Sequence, residues 1–295
     1  MIGLCVDSNA QLPDELRRRY DVEVVPLTVT VDGHDYLEGV NLDADAFYAR
    51  FAATTSRGLP SPVVTTAAPA PGQFAAAYAA LARRGATEIL SVHLGSNVSG
   101  TVNSARLGAQ LSPAPVSVVD TGAASFAITC CLWEAALAIE HGASAQEAAE
   151  VAKAVGFRCG NVFVVGGLEL ARAGGRLAAA ATDAAGDVPV LSLVDGRIEA
   201  ITHVSSFDEA ADAMAGYIRS TGTNLRVGIG VADDKTAPLW QALEARLAAA
   251  AEVRDVVRYR IGPSVAAHTG PGTAGAVSYP ARTWNEEDTH EVGSA

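Results

Sequence analysis

The first 156 residues alternate short apolar runs with longer amphipathic stretches, and this alternation restricts the folds open to the chain. Apolar runs with the length of buried strands lie near residues 1–6, 22–31, 87–94 and 115–119. Helical patterns of about 10 to 18 residues separate most of these runs. One of them, at 144–156, begins with Ser144 and has Glu147 three residues later, which predicts a capping box. Strands that alternate with helices in this way predict an α/β layer with a mostly parallel sheet.

The pattern changes after about residue 156. Strand-like runs become more frequent, the Asp195-Gly196 pair signals a hairpin, and only two helical patterns follow. This arrangement predicts a second domain of the α+β class. We therefore expect three parts: an N-terminal α/β domain at 1–157, a C-terminal α+β domain at 158–280, and a disordered acidic tail at 281–295.

Composition and charge exclude several classes of partner. A formal net charge of −12 disfavours nucleic acid and anionic membrane surfaces. Asp7 interrupts the apolar N-terminus before a signal peptide could form, and the uncharged stretch at residues 122–133 is too short to span a bilayer. We therefore expect no membrane insertion.

The cysteines and histidines give no sign of a metal site. The four cysteines lack CxxC spacing, and no two histidines have the spacing of metal ligands. We predict no metal, no disulfide and a cytoplasmic location, where thiols stay reduced.

Residues 87–101 (TEILSVHLGSNVSGT) predict a buried strand, a turn rich in hydroxyl groups and the start of a helix. Ligands of open α/β proteins bind at such strand ends, and helix N-termini favour anions. The turn is close to a phosphate-binding loop, but Thr101 stands where the loop lysine belongs, so nucleotide binding is disfavoured. Ser99 could simply cap the helix, which would leave Ser96 unexplained.

Residues 270–275 (GPGTAG) match the G-x-G-x-x-G pattern of dinucleotide-binding loops. The residues that follow favour a strand instead of the required helix, and the acid expected about 20 residues later would fall at the chain end. We predict a tight turn after His268 and no nicotinamide, flavin or other cofactor. His268 itself is either structural or at the edge of a site.

Two further segments have two interpretations each. Thr65 and Thr66 lie in a predicted loop at 62–72, which either only connects two elements or supplies hydroxyl groups to a site. Arg176, after Gly174-Gly175, either covers the last carbonyls of a helix or binds an anion.

Seven short segments, taken in chain order, resemble the DegV family of bacterial fatty-acid-binding proteins. The resemblance covers residues 2–280, and the order of the segments is more specific than any one of them. The segments are VDS (6–8), VPLTV (25–29), TTAAPAP (65–71), GSNVSGT (95–101), VVDT (118–121), LELARAGGR (168–176) and HTGPG (268–272).

The resemblance implies a two-domain fold with a long-chain fatty acid in a tunnel between the domains. It further implies that Thr66 (with Thr65 beside it), Ser96 and His268 bind the carboxylate. Family members in several bacteria present the bound acid to a separate fatty acid kinase, so the resemblance implies a carrier and not an enzyme, with no catalytic residues. Neutral hydroxyls and an imidazole can hold a carboxylate without a buried permanent cation.

The sequence departs from the family pattern at several positions. Ala67 and Ala68 replace Ser-Gln, and Gly95 replaces the first of two serines, so polar groups are lost near the expected carboxylate. The segment at 176–189 is shorter than usual. Ser205 and Ser206 stand near the place of an arginine that the family associates with the kinase encounter. A ligand preference different from that of the family is therefore an open alternative.

Two other classes of function remain as alternatives. An acyl hydrolase could use Ser96 or Thr66 with His268, although no G-x-S-x-G motif surrounds a serine. A related small-carboxylate binder, or a kinase-like phosphate binder without the loop lysine, would use the same turn.

Overall fold

The computed structural model describes residues 1–166, Leu170, Arg172 and residues 188–283. The chain forms two compact units. The first contains Met1–Val25, Ala68–Cys159 and the described residues from Ala281 onward. The second contains Pro26–Ala67 and Gly160–Pro280. Neither unit is a single continuous segment.

The strands are β1 (Ile2–Asp7), β2 (Glu23–Val25), β3 (Thr28–Val31), β4 (His34–Leu37), β5 (Val64–Ala67), β6 (Glu88–His93), β7 (Val116–Asp120), β8 (Gly160–Val164), β9 (Val188–Val194), β10 (Arg197–Val204), β11 (Leu225–Val231), β12 (Val253–Arg260) and β13 (Ala274–Pro280). The helices are α1 (Asp14–Arg19), α2 (Ala44–Ser56), α3 (Pro71–Arg83), α4 (Thr101–Ala109), α5 (Phe126–Glu140), α6 (Ala145–Arg158), α7 (Phe207–Ser220), α8 (Ala237–Ala248) and α9 (Pro263–Thr269). Short 3-10 helices occupy Ser8–Ala10 and Asp234–Thr236.

The first unit has a four-stranded, fully parallel sheet in the order β2-β1-β6-β7. Such a sheet is buried on both faces, and its central strands are therefore nearly continuous apolar runs. Phe74 and Tyr78 from α3 pack with Cys5 and Ile89 in one buried cluster. Because the strands are parallel, their carboxyl ends share one edge, where the loop after β6 and the loop after β7 lie together.

Helix α6 shows how closely the sequence can specify an element. Ser144 accepts a hydrogen bond from the Glu147 backbone N–H, and the Glu147 carboxylate accepts one from the Ser144 backbone N–H. This reciprocal capping box satisfies two otherwise unpaired donors. It confirms the cap predicted from the sequence.

The second unit contains two sheets. A six-stranded mixed sheet has the order β10-β9-β8-β13-β11-β12, with β11 and β12 parallel and the other neighbours antiparallel. A three-stranded antiparallel sheet has the order β4-β3-β5. Met214, Ile229 and Leu243 belong to the buried cluster between the larger sheet and helices α7 and α8. The β9–β10 hairpin turns at Asp195-Gly196, as predicted.

Two local predictions were wrong. Residues 22–31 do not form one strand, because β2 ends at Val25 and β3 begins at Thr28 in a different sheet. Pro26 lies between them and lacks the N–H that a continuous ladder requires. The threonines predicted in a loop at 62–72 lie on strand β5, which pairs with β3.

The predicted α/β class with a parallel N-terminal sheet is confirmed. The predicted boundary at residue 157 lies two residues before the change of unit at Cys159, while residues 26–67 group with the second unit. The division into folding domains therefore stays a prediction. The expected acidic tail and the segment around Arg176 lie outside the described residues, apart from 281–283.

Candidate functional site

Thr66 and His268 meet in the second unit. Thr66 lies on β5 and His268 in the last turn of α9, and a hydrogen bond of 3.1 Å joins Thr66 Oγ1 to His268 Nε2. Both side chains are half-buried. A hydroxyl and an imidazole that share one hydrogen bond, yet retain contact with solvent, can turn the same polar atoms toward a ligand.

Thr65 lies on the opposite face of β5. Successive side chains of a strand point to opposite faces of the sheet, and Thr65 is exposed where Thr66 is half-buried. The sequence prediction grouped the two threonines, whereas the geometry gives only Thr66 a contact with His268.

Helix α9 and the turn after it hold His268 in place. The buried Glu38 carboxylate accepts a hydrogen bond of 2.8 Å from the Ser264 backbone N–H in the first turn of α9. After the helix, the Thr273 hydroxyl bridges the carbonyls of Thr269 and Gly270, at 3.0 and 2.8 Å. The tight turn predicted after His268 is therefore present.

Gly272 is required by this turn. Its φ is +74°, and a β-carbon at this position would lie 3.1 Å from the Cα of Gly166. The Gly272 N–H donates to Asp233 Oδ2 at 3.1 Å. The residues that follow form strand β13 and not a helix. The G-x-G-x-x-G match is therefore a turn, as predicted, and not a dinucleotide-binding loop.

Ser96 lies in the first unit, in the exposed loop between β6 and α4. Its backbone N–H donates to Asp120 Oδ1 at 3.1 Å, and the Gly122 N–H donates to the same oxygen at 3.1 Å. Burial raises the pKa of Asp120, but hydrogen bonds from the Ser96 hydroxyl and these two N–H groups hold the pKa below its ordinary value. Asp120 thus fixes the backbone of Ser96 beside that of Gly122.

Asp120 had no predicted role from the sequence. A usable signal was present, because Asp120 ends β7 beside β6, and side chains at the carboxyl ends of neighbouring parallel strands lie close together.

Gly95 is a glycine for a steric reason. A β-carbon there would lie 2.7 Å from the backbone carbonyl carbon of Gly122 and 2.4 Å from Asn97 Oδ1. The Gly95 N–H also donates to the Ala123 carbonyl at 2.8 Å. The serine that the family places at this position does not fit this loop, so the lost hydroxyl follows from close packing between the two loops.

Ser99 forms local hydrogen bonds at the start of α4. Its Oγ accepts from the Thr101 N–H at 3.3 Å and lies 2.8 Å from Thr101 Oγ1, while Gly100 is the N-cap residue. The predicted capping by Ser99 is thus replaced by a contact one residue outside the helix.

A second histidine network lies at the start of the Ser96 loop, and it was not predicted from the sequence. His93 Nδ1 is 3.0 Å from Asp7 Oδ2, and His93 Nε2 is 2.6 Å from Ser91 Oγ. Ser91 Oγ is in turn 2.9 Å from the Tyr78 hydroxyl. All four residues are fully buried. The order of contacts matches an acid–base–nucleophile series, but burial separates Ser91 from any substrate.

This network instead supports the loop above it. Asp7 Oδ2 also accepts from the Leu94 N–H at 2.9 Å, and Asp7 Oδ1 accepts from the Asn9 N–H at 3.1 Å. Burial raises the pKa of Tyr78, so its hydroxyl keeps its proton. Asp7 and His93 thus fix the strand end from which the Ser96 loop begins.

The part of the chain that the structure describes contains neither a metal-binding cluster nor a helix able to span a membrane. Among those residues, no group of three or more His, Cys, Asp or Glu side chains is arranged to hold a metal ion. Within the same residues, no helix combines the length and the apolar character needed to cross a bilayer.

Comparisons with known proteins identify relatives along almost the whole chain. A DegV domain-containing protein of Streptomyces coelicolor is 32% identical over 287 residues, covering 94% of this chain and 97% of the relative. A DegV domain-containing protein of Deinococcus radiodurans is 30% identical over 289 residues, covering 95% of this chain and 98% of the relative.

Solved structures agree with these relatives. A fatty-acid-binding DegV family protein from Thermus thermophilus superposes with a TM-score of 0.82 at 32% identity, covering 95% of this chain and 99% of its own. A DegV lipid-binding protein from Thermotoga maritima gives a TM-score of 0.82 at 26% identity, covering 94% and 98%. The model of the DegV family matches residues 1–281. The chain therefore belongs to the DegV family.

Proposed function

We propose that this protein is a cytoplasmic carrier that binds a long-chain fatty acid, with the carboxylate held by Thr66, Ser96 and His268. The observation that carries the proposal is the Thr66–His268 hydrogen bond of 3.1 Å between two half-buried side chains. Relatives of similar fold and 26–32% identity are described as fatty-acid-binding or lipid-binding proteins, which supports this class of ligand.

The chemistry of the three side chains suits a carboxylate. The Thr66 hydroxyl and the His268 imidazole can each donate one hydrogen bond, and donors to a charged acceptor contribute about 1.5–3 kcal/mol each. The acyl chain would supply most of the affinity, at about 0.8 kcal/mol per buried methylene. The acyl chain would thus provide most of the affinity, and the polar residues would determine which head group is recognised.

The contact with Asp120 reduces the contribution to affinity that we expect from Ser96. Because interaction with the Ser96 hydroxyl helps to lower the pKa of Asp120, a ligand carboxylate would compete with Asp120 for that hydroxyl. Ser96 would therefore contribute less to affinity than Thr66 or His268, unless the carboxyl group of the ligand is protonated.

The decisive experiment combines native mass spectrometry with fatty-acid titration of the purified protein. We expect a copurifying or added C14–C18 acid to bind one per chain. Thr66→Val, which keeps the side-chain shape and removes the hydroxyl, should weaken binding by about 10-fold to 100-fold, since 1.4 kcal/mol corresponds to a factor of ten.

Thr65→Val is the matched control, because it makes the same change one residue away on the other face of β5. It should bind like the wild type, and a loss equal to that of Thr66→Val would show that both threonines contribute. Failure of the wild type to bind any C14–C18 acid would refute the carrier function.

We further propose that the carrier presents its acid to a separate fatty acid kinase. The support is the resemblance to family members that do so. The place of the family's arginine is taken by serines with local structural contacts: Ser206 caps α7 by accepting from the Glu209 N–H at 3.2 Å, and the Ser205 N–H donates to the Glu209 carboxylate. ATP-dependent phosphorylation of the bound acid by an added fatty acid kinase tests this step, and no acyl-phosphate formation above a carrier-free control would refute it.

A further inference from the structure

Glu38 links the end of strand β4 to the start of helix α9. Its backbone N–H donates to the Leu27 carbonyl at 3.0 Å, just before β3. Its carboxylate Oε1 accepts a hydrogen bond of 2.8 Å from the Ser264 backbone N–H, although 226 residues separate the two in the sequence. Glu38 is 6% exposed and Ser264 is 2% exposed. The contact therefore joins two buried groups from distant parts of the second unit.

The start of α9 offers one backbone donor to Glu38. The helix begins at Pro263, which has no N–H, and the Val265 N–H donates to the Gly262 carbonyl at 3.2 Å. The Ser264 N–H lies between them and donates to the Glu38 side chain. A buried backbone N–H that loses its acceptor destabilises the structure around it. The Glu38 carboxylate therefore completes the hydrogen bonds of the first turn of α9.

Ser264 and His268 lie on one face of α9. Residues four positions apart are neighbours on a helix surface, about 6 Å apart along the axis. Glu38 therefore contacts the first turn of the helix, whereas Thr66 contacts the last turn through its hydrogen bond of 3.1 Å to His268. The two ends of this short helix are thus held by two different side chains.

Strand β3 lies between these two contacts. Glu38 is hydrogen-bonded to Leu27 on the β4 side of β3, whereas Thr66 pairs with Val29 on the β5 side. Helix α9 contacts both β3 and β5. The two hydrogen bonds therefore fix α9 across β3, with His268 at the β5 side.

A carboxylate places a stricter demand on this geometry than a neutral head group does. Its two oxygens can each accept a hydrogen bond, so both donors must be in place at the same time. Thr66 Oγ1 and His268 Nε2 are 3.1 Å apart, and a shift of α9 by more than about 0.5 Å would disturb this arrangement. An alcohol has one oxygen and needs only one of the two donors. The position of α9 thus determines how well a carboxylate is distinguished from an alcohol.

We propose that Glu38 is a positioning residue for head-group recognition. Its contact with Ser264 keeps His268 in place beside Thr66, so that a carboxylate is preferred over a neutral head group. Glu38 acts through α9 and not through contact with the ligand. The proposal rests on the proposed function of the Thr66–His268 pair.

Two substitutions at Glu38 test this role. Glu38→Met keeps the side-chain length and removes both acceptor oxygens, whereas Glu38→Gln keeps one oxygen that can accept from the Ser264 N–H. Both variants remove the charge, so the difference between them reports the acceptor. The measurement is the Kd of hexadecanoic acid and of 1-hexadecanol, which has the same chain length and a neutral head group.

The expected result is a selective loss. Glu38→Met should weaken binding of the acid by about tenfold and binding of the alcohol by less than about threefold, whereas Glu38→Gln should stay within about threefold of the wild type for both. An equal change for acid and alcohol in Glu38→Met, or no change for either, would overturn the proposal. Glu38→Asp draws the acceptor back by one methylene and should lower the preference for the acid even if Glu38→Met does not fold. An unchanged preference in Glu38→Asp would also contradict the role of Glu38.

Thr221→Val is the matched control for a general loss of stability. The Thr221 hydroxyl donates to the Ile218 carbonyl at 2.7 Å at the end of α7, in the same unit. This variant should lose stability and keep the wild-type ratio of the two Kd values. A changed ratio in Thr221→Val would show that general destabilisation alters the preference, and would overturn the assignment to Glu38.

NMR spectra of the ligand-free protein test the position of His268 without a fatty acid. We expect a nuclear Overhauser effect between the ring protons of His268 and the side chain of Thr66 in the wild type and in Glu38→Gln. The effect should be lost in Glu38→Met, and its persistence there would refute the positioning role. If the wild type binds no acid, the carrier function fails, while these spectra still decide the role of Glu38.

Discussion

Each unit contains a histidine in contact with a hydroxyl group, and the two pairs differ in how completely the protein encloses them. His93 is fully buried, and both of its ring nitrogens have partners, Asp7 and Ser91. His268 is half-buried and shares a hydrogen bond of 3.1 Å with Thr66. The residue types are nearly the same, but the protein encloses the first pair completely and leaves the second pair partly exposed.

This difference shows why residue chemistry alone is a weak guide to function. The Asp7–His93–Ser91 series has the connectivity of a catalytic triad, yet its burial makes it a support for the strand ends around Leu94. The Thr66–His268 pair is more exposed, which suits recognition. We expect substitutions in the first network to change stability and substitutions in the second to change affinity.

The largest effect is expected from His93→Ala. The change leaves the buried Asp7 carboxylate without its imidazole partner and opens a cavity beside Phe74, whose ring centroid lies 5.0 Å from that of His93. We predict a loss of about 3 kcal/mol in the free energy of unfolding, measured by urea denaturation. A loss below about 1 kcal/mol would mean that the network is not structural.

The next effect is expected from His268→Ala, and it should appear in binding. We predict a fatty-acid affinity about 10-fold to 100-fold lower, measured by titration, with the free energy of unfolding changed by less than about 1 kcal/mol. His34→Ala, an exposed histidine of the same unit, is the matched control and should bind normally. Equal losses of affinity in His268→Ala and His34→Ala would show that the effect is not specific to His268.

A smaller effect is expected from Tyr78→Phe. This change removes the hydroxyl that lies 2.9 Å from Ser91 Oγ but leaves the Ser91–His93 contact in place. We predict a destabilisation of about 1 kcal/mol and no change in fatty-acid affinity. Tyr36→Phe, which removes a half-buried hydroxyl that accepts from Arg50, should cost less. A loss of affinity in Tyr78→Phe would show that the buried network reaches the ligand site.

The smallest effect concerns Asp120 and depends on pH. Because its pKa is lowered in the folded protein, its stabilising contribution is present above the ordinary aspartate pKa of about 4 and is lost as the pH falls through the folded value. We therefore expect Asp120→Asn to be less stable than the wild type at pH 7 and to approach it at acid pH. A stability difference that stays constant between pH 7 and pH 3 would contradict this role.

The sequence allowed accurate prediction where the determinants are local. The capping box of Ser144 and Glu147 and the hairpin at Asp195-Gly196 depend on neighbouring residues and were found. The contact between Thr66 and His268 became an expectation only through the family resemblance, since no spacing rule connects such distant residues.

The wrong predictions and the missed residues depend instead on contacts between segments that are distant in the sequence. The strand break at Pro26 follows from a change of unit that apolar alternation does not reveal. The steric need for Gly95 depends on the backbone of Gly122, and the role of Asp120 depends on the parallel pairing of β6 and β7. Each of these contacts requires knowledge of which loops lie side by side.

The interrupted second unit has a consequence for synthesis of the protein. Thr66 leaves the ribosome early with β5, but its partner His268 lies 202 residues later. The sheet of strands β3 to β5 therefore lacks its packing against α9 until the C-terminal part of its unit has emerged, whereas the parallel sheet of the first unit is complete once β7 has emerged. A nascent or truncated chain that ends before α9 would possess a finished first sheet and no Thr66–His268 pair, so head-group recognition would be one of the last properties that the growing chain acquires.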